Sequence, residues 1–231
     1  MTQPNFSAQI ESWMHSKQPK TFGNLSTFFG KNSFATIFII CMALPALPIP
    51  TGGITHVLEI LVALVALETI IGLKSLWIPK WLAKKQLPDL VIKTGLPKFV
   101  QYLKKLEKYS RPRGVALMNN TWVERFAGFA VLAFAAGAFF ALPFSGLDTI
   151  VSIGAVVLSL GLVLNDISYF IAGLIIGIIG LFLEIFLGAV IASGLKRLWE
   201  HATPEVKIGI ASALVLLIAF VIVRHMRTKH S

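Results

Sequence analysis

Charge is what this 231-residue chain lacks most. Asp, Glu, Lys and Arg make up 14% of it, against about 25% in an ordinary soluble domain. Acids are scarcest, with 11 Asp and Glu set against 21 Lys and Arg, for a net charge of +10. Hydrophobic residues reach 55% and the mean hydropathy is +0.76. A soluble globule of this length cannot hide that much apolar side chain, so a cytosolic enzyme and a disordered tail are excluded. The single cysteine, Cys41, lies inside an apolar run and excludes an intrachain disulfide and a disulfide-stapled secreted module. Histidine is sparse too. Of five, only His56 falls near an apolar segment, while His225 and His230 sit in a basic tail. The chain has no Gly-x-Ser-x-Gly, His-Glu-x-x-His, P-loop or Cys/His cluster. An intramembrane hydrolase needs a nucleophile with a base in reach, and Ser145 or Ser152 could serve only by special pleading. The expectation is a non-enzyme with no catalytic residue, metal or cofactor. What remains is a small polytopic membrane protein.

The basic charge is concentrated. Between Lys74 and Arg125 there are twelve Lys and Arg against three acids, Asp89, Glu107 and Glu124. A basic loop between apolar spans reads as a cytoplasmic segment against anionic headgroups rather than as a nucleic-acid module. Within it Phe99, Tyr102, Leu103, Leu106 and Tyr109 recur at helical spacing, with Lys98, Lys104, Lys105 and Lys108 on the other side. That pattern predicts a basic amphipathic helix at the membrane interface. Trp77 and Trp81 around Pro79 fit an aromatic belt. Residues 1–27 are polar, with a weak stripe at Phe6, Ile10, Trp13 and Met14. They are not a secretory signal peptide, and read as a helix resting on the membrane surface or as a frayed end.

Two apolar blocks are each broken in the middle. In the first, residues 28–73, the break contains Pro45, Pro48, Pro50, Gly52 and Gly53, which end any helix. The arm before it, residues 33–44, spans roughly 18 Å at about 1.5 Å per residue, short of the roughly 30 Å hydrocarbon core. The arm after it, residues 54–71, reaches about 27 Å. This hairpin either barely spans or re-enters. In the second block, residues 126–166, the arms are 126–142 and 147–164, and Pro143-Phe144-Ser145-Gly146 breaks them. A longer apolar run, 169–195, ends at Lys196-Arg197, and a last run, 208–223, ends in a basic tail. The domain reading is 1–27 interfacial, 28–73 first hairpin, 74–125 basic linker, 126–166 second hairpin, 167–197 Gly-striped transmembrane helix, and 198–231 C-terminal helix and tail.

The blocks align without gaps at an offset of 98 residues. Phe28 and Gly30 fall on Phe126 and Gly128, and Ala43-Leu44-Pro45 on Ala141-Leu142-Pro143. Thr51 meets Thr149, and Glu68 meets Asp166. Broken apolar segments at corresponding places in two halves point to a transporter-like site, because freed backbone groups are tolerated only facing protein or water.

These motifs resemble those of a known family. The run Ala-Leu-Pro-x-x-Pro-x-Pro-x-Gly from Ala43 to Gly52 is followed by Glu68 and Gly72, then by Trp77-x-Pro79 and the basic linker. Leu142-Pro143 and Gly161-x-x-x-x-Asp166 complete the pattern. Over residues 25–199 the chain resembles the ExoD family of bacterial membrane proteins, named for exopolysaccharide synthesis. The resemblance implies a requirement for polysaccharide synthesis or export, in a bacterial inner (plasma) membrane, with polysaccharide assembly machinery as a partner. The family carries an amide, usually glutamine, where this chain has Glu68.

Polar residues inside apolar runs need a reason, since a carboxylate at the bilayer centre costs roughly 2.5–3.5 kcal/mol on insertion scales. Glu184 shares a helical line with Gly173, Gly177, Gly180 and Gly188. Small residues at that spacing let helices approach closely. The acid is therefore either a hydrogen-bonded member of a packing face or a proton or ligand site. His56 and Glu59 share a face just after the first break, as a favourable charge at a helix start or as part of a site. His56 is the one buried-looking group that titrates near neutral pH. Asp148 and Asp166 each precede an apolar helix and read first as N-caps. Asn165 shares a face with Gly154 and Gly161, and Glu68 faces a different neighbour from Glu59. With the breaks, the candidate substrate or ion site is Pro45, Pro48, Thr51, His56, Glu59, Glu68, Pro143, Asp148, Thr149, Asn165, Asp166 and Glu184.

The predicted fold is an all-α polytopic membrane protein. Two repeated Pro-broken helical hairpins, spanning or re-entrant, are joined by a basic amphipathic linker and followed by one or two C-terminal transmembrane helices. Two functional readings stand: a small transporter-like protein with its site between the broken hairpins, or a non-transporting scaffold or regulator of polysaccharide assembly. Expected partners are the lipid bilayer with anionic headgroups under the linker, and not nucleic acid; a homodimer is left open. Both termini and the linker are expected in the cytoplasm. On a Cys41→Ala background, Lys104→Cys should react with an impermeant thiol reagent only from the cytoplasmic side; labelling from outside intact cells would overturn this topology.

Overall fold

Prolines and glycines cut the chain into helices, and the apolar pattern decides which of them protein encloses. The computed structural model describes residues 5–30, 33–47, 54–73, 77, 83–141, 146–201 and 203. Among these residues there are nine α-helices and no strand; Thr21 and Gln86 form an isolated β-bridge. The helices are α1 (Phe6–His15), α2 (Phe22–Phe29), α3 (Ser33–Met42), α4 (Ile54–Ile71), α5 (Leu96–Tyr109), α6 (Val115–Met118), α7 (Thr121–Phe140), α8 (Leu147–Leu164) and α9 (Ile167–His201). A π-helical stretch, Val91–Gly95, leads into α5. The chain divides into two compact units, Met1–Glu184 and Ile185–Ser231. The described part of the second is helical to His201. The predicted span 208–223 and the break residues Pro48, Thr51 and Pro143 lie outside the described residues.

Four helices, α4, α7, α8 and α9, are long and apolar enough to cross a membrane. Their outer faces carry large apolar side chains such as Ile60, Phe129, Ile175, Ile178 and Phe182, as lipid-facing surfaces should. Helix α3 is different. At ten residues it is about 15 Å long, half the hydrocarbon thickness. Every residue from Ile37 to Met42 is at most 1% exposed. A helix apolar all round is a buried helix. It packs on α2, α4 and α8, while α4 packs on α7 and α7 on α8. Thus α3, α4, α7 and α8 close a ring.

Small residues set how closely the helices approach. A Cβ on Gly128 of α7 would lie 3.1 Å from the Ala66 carbonyl oxygen of α4. On the other side of the ring, a Cβ on Gly154 of α8 would lie 2.4 Å from the Gly177 Cα of α9, and one on Gly173 would lie 2.1 Å from the Leu158 nitrogen. Backbone meets backbone here, with no side chain between. The expected glycine seam is present at Gly173, Gly177 and Gly180; Gly188 belongs to the second unit.

The structure revises several expectations. The N-terminal segment is not frayed. Phe6, Ile10 and Trp13 are buried, α1 packs on α5, and the Ser7 amide donates to Glu107 at 2.7 Å. The Ser7 hydroxyl donates to the same carboxylate, and Lys104 pairs with Glu11 at 2.7 Å. The N-terminal helix and the linker therefore share one side of the molecule. The apolar face of α5 is Leu96, Phe99, Val100 and Leu103, turned toward protein; Tyr102 and Tyr109 point outward. Its partner surface came from a distant segment, which local periodicity does not reveal. Helix α7 begins five residues before the predicted arm because Asn120 caps it, accepting from the Trp122 amide at 2.9 Å.

The ungapped repeat register fails in the second arm. The ends of α3 and α7, Met42 and Phe140, are 98 residues apart, whereas the starts of α4 and α8, Ile54 and Leu147, are 93 apart. The second break is shorter by five residues. Glu68 therefore lies inside α4 while Asp166 lies beyond α8, and the two are not equivalent.

Gly154→Val should force α8 and α9 apart, costing at least about 2 kcal/mol, the middle of the range for overpacking. Ile175→Ala on the outer face should stay within about 0.5 kcal/mol. Thermal unfolding of the two purified variants in detergent checks the difference.

Candidate functional site

The break ends of the hairpins bring four titratable residues together from three helices. Glu59 of α4 is 1% exposed, and its Oε2 lies 2.9 Å from Nδ1 of His56 one turn earlier. His56 is not buried as expected. Its side chain is 51% exposed, and its ring meets that of Phe139 of α7 edge-to-face at 5.2 Å. Glu184 of α9 is 9% exposed and lies over Gly137 of α7, where a Cβ would come within 3.1 Å of its Oε2. Neither carboxylate oxygen of Glu184 has a hydrogen-bond partner among the described residues. The Asp148 and Glu59 carboxyls both act electrostatically on Glu184, and Asp148 acts on Glu59. Glu59 and Glu184 are buried and Asp148 is half-buried, and like charges so placed repel one another. A proton or cation among them lowers that repulsion.

Asp148 is not the N-cap of α8. Gly146, with φ of 70°, precedes the helix, and Asp148 is its second residue with its carboxyl free for the acidic group. A positive φ suits glycine, so the helix starts too early for Asp148 to cap it. Thr149 is half-buried in the same turn, and Pro45 is buried in the turn after α3.

Buried hydroxyls continue inward from Asp148. Ser152 and Ser159 lie on its face of α8, one and three turns along, and Thr36 lies on neighbouring α3. All three are fully buried, and their hydroxyl oxygens have no partner among the described residues. Thr69 shows the usual solution, donating to the Val65 carbonyl one turn back at 2.9 Å. An unmatched buried hydroxyl costs about 1–3 kcal/mol and calls for an explanation such as passing water or ions. The sequence reading missed Thr36 and Ser159; a single hydroxyl in an apolar run is too common to stand out.

The other end of the ring holds the remaining candidates. Glu68 accepts from the Trp77 amide at 2.9 Å, and Asn165, with φ of 54°, closes α8 and accepts from Asn119. A cavity of about 510 Å³ opens there, lined by Thr69, Asn119, Thr121, Arg125 and Asn165 among others. The structure thus splits the predicted site. His56, Glu59, Asp148 and Glu184 gather at the breaks, while Glu68, Asn165 and Asp166 sit at the linker end. Arg125 was missed because it reads as the last member of a basic linker.

Asp166 does cap α9, accepting from the Ser168 amide at 3.0 Å. It also accepts from the Arg111 amide at 2.9 Å and the Ser110 hydroxyl at 3.2 Å, tying the linker to the second hairpin. Burial opposes its ionisation, but those hydrogen bonds and the Arg113 charge outweigh it and hold the carboxyl below the usual range. Such a group stabilises fully above its unfolded pKa of about 3.9, and the effect is lost as pH falls through the lower folded value. Asp166→Ala should cost about 1 kcal/mol at pH 7 from the lost cap alone, and the gap from wild type should shrink below pH 4. Unfolding measured across pH checks both.

Comparison with known proteins places the chain. Over 168 residues it is 27% identical to slr1875 of Synechocystis sp. (strain ATCC 27184 / PCC 6803 / Kazusa), a protein named only as uncharacterized. The match covers 71% of this chain and 73% of that one. No solved structure matches. The family described as "Exopolysaccharide synthesis, ExoD" matches residues 7–186. That stretch contains the whole helical ring, its glycine seam and both polar ends, and the chain accordingly belongs to the ExoD family, which implies a role in exopolysaccharide synthesis.

Proposed function

We propose that the chain is a small transporter-like protein of the bacterial inner membrane that serves exopolysaccharide synthesis by moving a solute, lipid or ion between its two hairpins. One observation carries the reading: Glu184 is nine-tenths buried, with neither oxygen partnered, beside the carboxyls of Glu59 and Asp148. Proteins rarely bury an acid this way without using it. The unpartnered hydroxyls of Ser152 and Ser159 lead from that group toward the cavity at the linker end. No catalytic step is assigned to the chain, and the compartment of its N-terminus and linker is taken as the cytoplasm.

An internal duplication supports the same reading. Once the shorter second break is allowed for, buried positions of α4 and α8 coincide at an offset of 93: Leu58 with Val151, Glu59 with Ser152, Val62 with Ala155, Ala66 with Ser159. The ring contacts are also exchangeable, α3 meeting α8 as α7 meets α4. Paired broken hairpins around a central site are a transporter architecture.

The scaffold reading has its own support in the exposed basic face of α5. Lys98, Lys104, Lys105 and Lys108 remain exposed there, beside Arg111 and Arg113. That face suits anionic headgroups or polysaccharide assembly machinery.

Glu184→Gln separates the two. The amide keeps shape and hydrogen-bonding capacity while removing the exchangeable proton. In proteoliposomes of the full-length chain it should reach normal abundance and lose at least about a hundredfold in proton or cation flux, the lower end of what a positioned proton-transfer group contributes. Polysaccharide production in a deletion strain should fall with it. A variant that complements fully at matched membrane abundance removes Glu184 from the mechanism. A wild-type protein that complements without any flux favours the scaffold.

A further inference from the structure

The cavity at the linker end is built for a negatively charged guest. Its walls come from the inner ends of all four ring helices: Phe34 and Phe38 of α3, Thr69 of α4, Thr121 and Arg125 of α7, and Leu162 of α8, with Asn119 and Asn165 at the corners. At about 510 Å³ it falls in the size range of small-molecule sites. Arg125 lines it with a guanidinium that pairs with no carboxylate among the described residues. The buried Nε has no hydrogen-bond partner among the described residues, and Nη2 reaches the Ile71 carbonyl at 3.4 Å, a long contact. Gly72, with φ of 85°, makes room for the group, since a Cβ there would lie 2.6 Å from Nη2. The stem stacks by Trp122, with the guanidinium carbon 5.3 Å from the ring centroid. An arginine fixed by its neighbours yet short of acceptors is a preorganised anion receptor. Asn165 spends its side-chain oxygen on Asn119, which leaves its amide N–H₂ to donate. Glu124 also lines the cavity, but it is exposed, where water screens its charge.

We propose that this cavity binds a phosphate group, held by Arg125 and Asn165, with the apolar walls of Phe34, Phe38 and Leu162 taking the body attached to it. Phosphate matches the forked donors of arginine, and the walls suit an amphiphile rather than a bare inorganic ion. The phosphate comes from a lipid headgroup or from a soluble phosphorylated compound. This site is separate from the acidic group at the breaks, and it stands whether or not the chain transports.

Two variants test it. Arg125→Gln removes the cation. Thr121→Glu leaves Arg125 in the chain but sets a carboxylate one turn before it, in position to pair with the guanidinium and to repel an anion, and an acid in the first turn favours the helix, so assembly should be spared. The full-length protein in neutral detergent is titrated with inorganic phosphate and with glucose 1-phosphate. In parallel it is placed in nanodiscs of phosphatidylcholine with or without phosphatidylglycerol, and the retained lipid is identified by native mass spectrometry. Saturable binding of a phosphate probe, or selective retention of phosphatidylglycerol, is expected, weakened at least about tenfold in both variants, as for loss of a charge-assisted hydrogen bond. Binding from solution assigns a soluble source; retention of the lipid alone assigns a headgroup. Binding of none of the probes, or binding unchanged in either variant that assembles, overturns the proposal and leaves Arg125 as a cap on the end of α4.

Discussion

A ten-residue helix fully closed off by protein is the constraint on which the rest of this structure depends. Helix α3 is half the length needed to cross a bilayer, and its side chains from Ile37 to Met42 are buried on every side. Such a helix leaves unpaired backbone groups at both ends, and lipid cannot satisfy them. It is therefore tolerated only inside a ring of other helices. Helices α4 and α8 flank it and α7 closes the circle. The break that follows α3 must then face protein or water, which opens one polar end. The shortness of α3 leaves space at its other end, where the cavity lies.

The glycine seam follows from the same geometry. The ring buries α3, and α9 then seats its Gly173 and Gly177 against the backbone of α8. That contact carries Glu184 over Gly137 and into reach of Asp148 and Glu59. Close packing thus serves position more than stability. With a bulkier residue at Gly154 or Gly177, the helices would part and the acids would no longer meet. The polar components lie at two ends of one ring: an acidic, titratable group beside the breaks, and an arginine with spare donors beside the linker. The two ends thus differ in charge, with the buried hydroxyls of Ser152 and Ser159 on α8 between them.

The linker is part of the folded unit rather than a tether. Its apolar stripe is used to bind α1, and Asp166 ties its exit to the start of α9. The end of the linker, at Met118, Asn119 and Thr121, lines the cavity together with the ends of the ring helices. The lysines of α5 stay exposed for whatever that side faces.

The sequence by itself determined the all-helical class and the limits of two of the long helices. Hydropathy is a sum over side chains, and proline and glycine act on their own backbone, so both are local. The limits of α4 and α8 agree with the apolar runs to the residue. Asp166 as a cap was legible for the same reason. The tertiary structure alone decided which apolar stripe faces protein and which faces lipid. It turned α5 inward and exposed His56. It also sorted the candidates among the described residues, gathering His56, Glu59, Asp148 and Glu184 and sending Glu68, Asn165 and Asp166 to the far end. Those outcomes depend on contacts between segments up to about a hundred residues apart, as between Ser7 and Glu107. Helical period gives the direction of a side chain about its own axis, but not the neighbour that stands there. Arg125 shows the limit most plainly: in sequence it ends a basic run, and only the fold surrounds it with a cavity.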